Sequence, residues 1–192
     1  DSISISDAAT LLKTRGEAMQ NAVPVGQGSM VAILGVSVED IEYFIASVAT
    51  SDGLVEIAND NAPGQVVISG DIKTLDLIIK LVRESGIRKI IKLSVSAPFH
   101  CSLMKPAAVI MENALEKIKF LEPKFPIISN VSAIPETSTQ TIKNNLILQV
   151  TQRVRWRETM ASLSRLGISQ VIEMGTGRVL TGLAKRGAQN IN

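Results

Sequence analysis

The chain has 192 residues, of which 45% are hydrophobic, and 20 Lys and Arg stand against 18 Asp and Glu for a formal net charge of +2. That length fits one ordinary domain or one and a half small ones, since domain size peaks around ~100–150 residues. Scattered cations and 3% aromatic residues leave no basic stripe and no stacking platform, so nucleic acid is not an expected partner. No apolar run reaches the ~18 residues needed to span a bilayer. The first residues, DSISISDAAT, lack the charged start and apolar centre of a signal peptide. The one cysteine, Cys101, allows neither an intrachain disulfide nor a CxxC metal clip. The expectation is a soluble, cytoplasmic protein with no metal and no membrane partner.

From Ser6 to Gln20, the residues Ala8, Leu12, Arg15 and Met19 recur at helical spacing, an apolar face with an arginine set into it. Val23-Pro24 and Gly26-Gln27-Gly28 break that helix. MVAILGV then reads as a buried strand, and Ile41, Phe44, Ile45 and Val48 mark a second helix. VEIAN and QVVISG are strands around an expected turn at Asn61-Ala62-Pro63-Gly64. Leu75, Ile78, Ile79 and Val82 mark a third helix, ended by Gly86. In IIKLSV, Ile91, Leu93 and Val95 alternate with Lys92 and Ser94, as in a half-buried strand. The order βαββαβ is that of a ferredoxin-like split sheet.

After Val95 the pattern turns to the α/β type. Met104, Ala108, Met111, Leu115 and Ile118 form a helical stripe, and PIISNV reads as a short strand. Helices are expected around Leu146 to Val150 and Thr159 to Leu166, and VIEMG as a strand that enters a last helix through Gly175-Thr176-Gly177. These strands are too few to close a sheet. The expected fold is therefore α/β, a partial α/β domain made of 1–29 and 96–192 with its first strands missing, and the βαββαβ subdomain inserted at 30–95.

His100 is the only histidine, in the context SAPFHCSLM. Pro98 biases Ala97 toward extended backbone, so the strand stops and His100 falls on a tight loop at a strand end, where catalytic groups collect in α/β folds. By itself it is either that or a hydrogen-bonded structural histidine. Arg15 either snorkels from its helix or meets an anion. Asn61 either ties its own turn or touches substrate. Phe99 is either plain packing or the wall of a pocket. Cys101 has no activating neighbour and reads as a small buried hydrophobe. Gly175-Thr176-Gly177 lacks the third glycine of a dinucleotide fingerprint.

Several strings bear on these alternatives together: TRGEAMQ (Thr14 to Gln20), NAPGQVVISG (Asn61 to Gly70), VSAPFHCSLMKP (Val95 to Pro106), SNVSA (Ser129 to Ala133), VRW (Val154 to Trp156) and EMGTGRVLTGL (Glu173 to Leu183). In order and spacing they resemble the malonyl-CoA:acyl carrier protein transacylases over nearly the whole chain. The resemblance implies a hydrolase-like α/β domain with a ferredoxin-like insertion. It also implies ping-pong transfer of malonyl from malonyl-CoA, through a serine ester, to the phosphopantetheine thiol of acyl carrier protein. His100 would be the general base, the backbone carbonyl of Gln149 would orient it, and Arg15 would clamp the malonyl carboxylate. Asn61 would be a substrate contact and Phe99 a pocket wall. No cofactor is implied; the coenzyme A thioester is the substrate.

The family's nucleophile lies in a Gly-x-Ser-x-Gly elbow, and no such motif occurs in these residues. The resemblance therefore marks the chain as a C-terminal portion, expected to be inactive alone, whose serine and oxyanion loop would precede Asp1. Two other readings compete with it: a non-catalytic module that binds a protein through the βαββαβ unit, and the acyltransferase domain of a polyketide synthase.

Overall fold

The computed structural model describes residues 2–48, 53–188 and 191; both ends of the expected two-part domain, Asp1 and Asn192, lie outside them. Helix α1 spans Ile5–Asn21. It starts at Ser4, whose hydroxyl accepts the Asp7 N–H at 3.0 Å and donates to the Asp7 carboxylate at 2.7 Å. Its buried face is Leu11, Ala18 and Met19, with Ala8 and Arg15 half-buried. Leu12, expected on that face, is 70% exposed. A 100° step per residue puts position 11, not 12, in line with 8, 15 and 18.

The next six elements are β1 (Gly28–Leu34), α2 (Val38–Val48), β2 (Val55–Ala62), β3 (Gln65–Asp71), α3 (Ile72–Glu84) and β4 (Lys89–Lys92). They build an antiparallel sheet in the order β2-β3-β1-β4. On one face Val31, Ile33, Ile57 and Ile68 meet Ile41 of α2 and Leu75, Ile78 and Val82 of α3. On the other, Met30, Ala32, Ala58 and Val67 pack under Leu93 and Phe99. Burial on both faces is why MVAIL shows no alternation.

Two details differ from the sequence expectation. The β2–β3 hairpin turns on Pro63 and Gly64 alone, with Gly64 at φ +74° and Ala62 already paired to Gln65. Asn61 therefore lies inside β2, not in the turn. Strand β4 ends at Lys92, and the residue it turns into the helix-covered core is Ile90, opposite Ile33. Ile91 falls on the other face and is 54% exposed, because β4 is the sheet edge there.

The rest of the chain alternates helices with long irregular segments. A 3₁₀ turn at Ser102–Met104 leads into α4 (Lys105–Glu116), which buries Ala107, Met111 and Leu115 against α1. Strands β5 (Ile127–Ile128) and β6 (Pro135–Glu136) form a two-stranded ladder, followed by α5 (Thr139–Leu148), α6 (Trp156–Arg165) and α7 (Val179–Gly187). VIEMG forms no strand; Ile172 is 84% and Met174 88% exposed. A strand needs a neighbour for its N–H and C=O groups, and no described strand offers an edge to this segment. The architecture is mixed α/β.

Candidate functional site

His100 has φ +59°, in the left-handed region that non-glycine residues seldom adopt. Its loop is tightly cross-braced. Phe99 N–H donates to Ala97 O at 3.1 Å, the Cys101 thiol donates to Pro98 O at 3.1 Å, and Met104 N–H donates to Cys101 O at 3.0 Å. The Pro98 ring lies over Gly28 at the start of β1, where any Cβ would collide with it. The loop is thereby seated against the sheet.

The ring of His100 is half-buried, and its Nδ1 lies 2.8 Å from the backbone oxygen of Gln149. Gln149 caps the C-terminus of α5, where carbonyls lack intrahelical partners and carry the negative end of the helix dipole. A carbonyl only accepts, so Nδ1 carries the proton and Nε2 keeps its lone pair. Burial pulls the His100 pKa below its ordinary value; the Gln149 carbonyl opposes this, and the charge of Arg15 adds to the lowering. The imidazole is neutral near pH 7. The Gln152 backbone also bonds the ring and opposes the lowering; a half-buried neutral imidazole whose Nδ1 is held by a carbonyl is chemically a proton acceptor at its other nitrogen.

Arg15 reaches this site from α1, near enough for its charge to act on the imidazole. Burial lowers its own pKa. Among the described residues no carboxylate pairs with its guanidinium. Cys101 is fully buried, its thiol pushed up by burial, which matches a small hydrophobe. Phe99 is half-buried and packs against two core clusters at once, the α1–α4 layer and the second face of the sheet. Asn61 stays in β2 at the hairpin end, and among the described residues no hydrogen bond joins it to the His100 loop. The structure thus brings His100 and Gln149 into contact with Arg15 and Phe99 near them, and among the described residues shows no hydrogen bond from Asn61 to these groups. Ser37, which follows Gly35 at a strand-to-helix turn, donates its hydroxyl to Asp40 at 2.6 Å and caps α2.

Three polar residues near the site were not among the expected site residues. Glu56 of β2 accepts the Ser102 N–H at 3.0 Å and the Ser102 hydroxyl at 2.6 Å. Asp60, 2% exposed, accepts Arg157 Nε on both oxygens at 2.9 Å and Nη2 at 2.8 Å. Arg155 donates to the Val131 and Ser132 carbonyls and pairs with Glu158. A cavity of about 530 Å³ opens beside the loop, lined by Glu56, Ser102, Lys105, Gln152, Arg153 and Arg155 among others.

No family model matches the chain. Whole-chain comparison finds a malonyl CoA-acyl carrier protein transacylase of Bacillus subtilis that is 42% identical over 184 residues, covering 96% of this chain and 58% of the relative. Among solved structures, an acyl-carrier-protein-S-malonyltransferase from Bartonella henselae is 46% identical with a TM-score of 0.94, over 99% of this chain and 60% of that one. One from Vibrio cholerae is 40% identical with a TM-score of 0.95, over 99% of this chain and 62% of that one. A malonyl-transacylase solved in complex with a type II PKS acyl-carrier protein is 39% identical with a TM-score of 0.94, over 99% of this chain and 61% of that one. The chain spans about three fifths of the length of the relatives it matches. Across almost all of its own residues, in sequence and in three-dimensional structure, the chain matches the corresponding part of the malonyl CoA-acyl carrier protein transacylases.

Proposed function

We propose that this chain carries the base and the acyl-specificity half of a malonyltransferase. In this reading the complete protein moves a malonyl group from malonyl-CoA to the phosphopantetheine thiol of an acyl carrier protein in fatty-acid synthesis. The observation that carries it is the 2.8 Å contact between His100 Nδ1 and the Gln149 carbonyl, with Arg15 near enough for its charge to act on the ring. Residues 30–95 act as a ferredoxin-like subdomain set into a hydrolase-like α/β domain formed by 1–29 and 96–192. No metal or redox cofactor enters this scheme, and the acyl carrier protein partner is supported by the related transacylase solved with its carrier.

The chemistry runs in two balanced halves. A serine outside these 192 residues attacks the malonyl thioester carbonyl as its proton passes to His100 Nε2. The C–S bond then breaks, and coenzyme A leaves with that proton as a thiol. In the second half the carrier's thiol gives its proton to the same nitrogen and attacks the serine ester, and the serine oxygen takes the proton back. Gln149 keeps the ring in the tautomer that leaves Nε2 open throughout. Arg15 meets the malonyl carboxylate with its two-pronged guanidinium. Phe99 walls the acyl end, Asn61 contacts substrate from the hairpin, and the cavity beside Ser102 and Gln152 admits the pantetheine arm.

The test is malonyl transfer to carrier protein by a protein that contains this sequence together with its serine-bearing segment. His100→Ala is expected to lower turnover by at least ~10²-fold, the usual contribution of a positioned base, with malonyl-CoA binding nearly unchanged. Lost binding at unchanged turnover would make His100 a substrate contact instead. The 192-residue chain alone, having no Gly-x-Ser-x-Gly, is expected to form no malonyl ester.

A further inference from the structure

His100 holds a backbone conformation that persists only where its surroundings fix it. The braces inside its own loop, from Ala97 to Met104, cannot set where that loop stands relative to Gln149. That placement comes from the sheet: Pro98 sits on Gly28 of β1, the Ser69 hydroxyl of β3 donates to the Cys101 thiol at 3.7 Å, and β2 adds a carboxylate clamp. Two residues after the imidazole, Ser102 gives both its N–H and its hydroxyl to the Glu56 carboxylate, 46 residues away in sequence. The same strand fixes the segment that follows Gln149: Asp60 N–H donates to Val154 O at 2.9 Å, Val154 N–H donates to Ala58 O at 2.8 Å, and Asp60 binds Arg157. Imidazole and carbonyl, 49 residues apart in the chain, are thus both pinned to one strand.

We infer that Glu56 is a positioning residue for His100, a carboxylate clamp on Ser102 that holds the imidazole at bonding distance from the Gln149 carbonyl. The catalytic consequence rests on His100 being the base; the positioning itself does not. The charged groups around the site are Arg15 from α1, Glu56 from β2, and Lys105, Arg153 and Arg155 lining the cavity beside the loop; Arg15 and Glu56 frame the test. Removing a nearby negative charge lowers the pKa of a histidine. Loosening a loop that keeps the ring out of water raises it, because burial is the main cause of its depression. A field effect and a positioning effect therefore move His100 in opposite directions.

The experiment is an NMR titration of the chain's only histidine, with hydrogen exchange of the Ser102 amide as a second readout. Glu56→Ala is expected to raise the His100 pKa toward its ordinary value, to weaken the Nδ1–H tautomer, and to speed Ser102 amide exchange about tenfold. Glu56→Gln, which keeps two polar atoms for Ser102, should restore much of the wild-type behaviour. A fall in the His100 pKa in Glu56→Ala, or an unchanged titration despite a lowered Tm, overturns the inference. So does Glu56→Gln behaving as Glu56→Ala does. Should Glu56→Ala not fold, Ser102→Ala decides the matter: losing only the hydroxyl arm must shift His100 in the same upward direction, and no shift overturns the proposal. No readout here depends on transfer activity, so failure of the transferase reading and failure of this one are separate results.

Discussion

Malonyl differs from acetyl by one carboxylate, and a carboxylate taken out of water into an acyl pocket must be paired. In the proposed reading Arg15 is the half-buried cation that meets it, its guanidinium already partly desolvated. Losing one partner of a desolvated charge pair costs ~2–5 kcal/mol. In the complete protein, Arg15→Ala is therefore expected to cut kcat/KM for malonyl-CoA by roughly 10- to 10³-fold while leaving acetyl-CoA unchanged or improved. Arg15→Lys should fall between, since an ammonium keeps the charge and loses the fork. The ratio of malonyl to acetyl transfer across the three proteins measures this, and equal losses for both acyl groups would mean that Arg15 only holds its helix. The arginine was visible in the sequence because it interrupts an apolar stripe. Its neighbour Leu12 was misplaced because two adjacent leucines compete for one seat, and the 100° step that lines position 11 up with 8, 15 and 18 gives it to Leu11.

At the scale of elements, what the sequence revealed is what local pattern encodes. The βαββαβ order followed from periodicity changing between 2 and 3.6, and the doubly buried β1 from an unbroken apolar run. The face presented by β4 did not follow, since Ile90 and Ile91 are alike in composition and differ only in register against β1. The His100–Gln149 contact was legible only through resemblance, because nothing in either segment names the other. Glu56 and Asp60 were not legible at all; each looks like an ordinary strand charge until its partner arrives from 46 or 97 residues away. The Asp60–Arg157 pair ties β2 to α6, with Asp60 at 2% exposure and the Arg157 side chain at 42%. Arg157→Ala leaves a buried carboxylate without its cation, and hydrogen bonds to charged groups are worth about 1.5–3 kcal/mol. A loss of that size in denaturant unfolding is expected, near the lower end because Arg157 is partly solvated. A change below ~0.5 kcal/mol would show that water replaces Arg157 at no cost and that the backbone bridge at Val154 alone joins the two elements.

Over the whole molecule, burial is uneven. The sheet is covered on both faces and α1 is packed on α4, whereas the stretch from Leu166 to Leu180 exposes apolar side chains one after another: Leu166 at 54%, Ile172 at 84%, Met174 at 88% and Val179 at 71%. Beyond the backbone bonds that tie Leu166 to Ile168 back to α6, Glu173 accepts the backbone N–H groups of Leu180 and Thr181 at 3.1 and 2.9 Å and so caps α7. Scattered exposed leucines are ordinary, but a contiguous exposed apolar run favours association. VIEM is also a strand-forming string whose backbone has no described partner strand, the kind of edge that recruits another chain. The 192-residue chain is therefore expected to self-associate as its concentration rises. Ile172→Lys with Met174→Lys should shift it toward monomer while changing unfolding free energy by less than about 0.5 kcal/mol, since neither side chain is buried. Sedimentation velocity over a hundredfold concentration range reads both proteins. A wild-type chain that stays monomeric throughout would show that this surface is tolerated by water, and a double variant that associates as strongly would place the sticky face elsewhere, with Phe125 at 77% exposure the next surface to change.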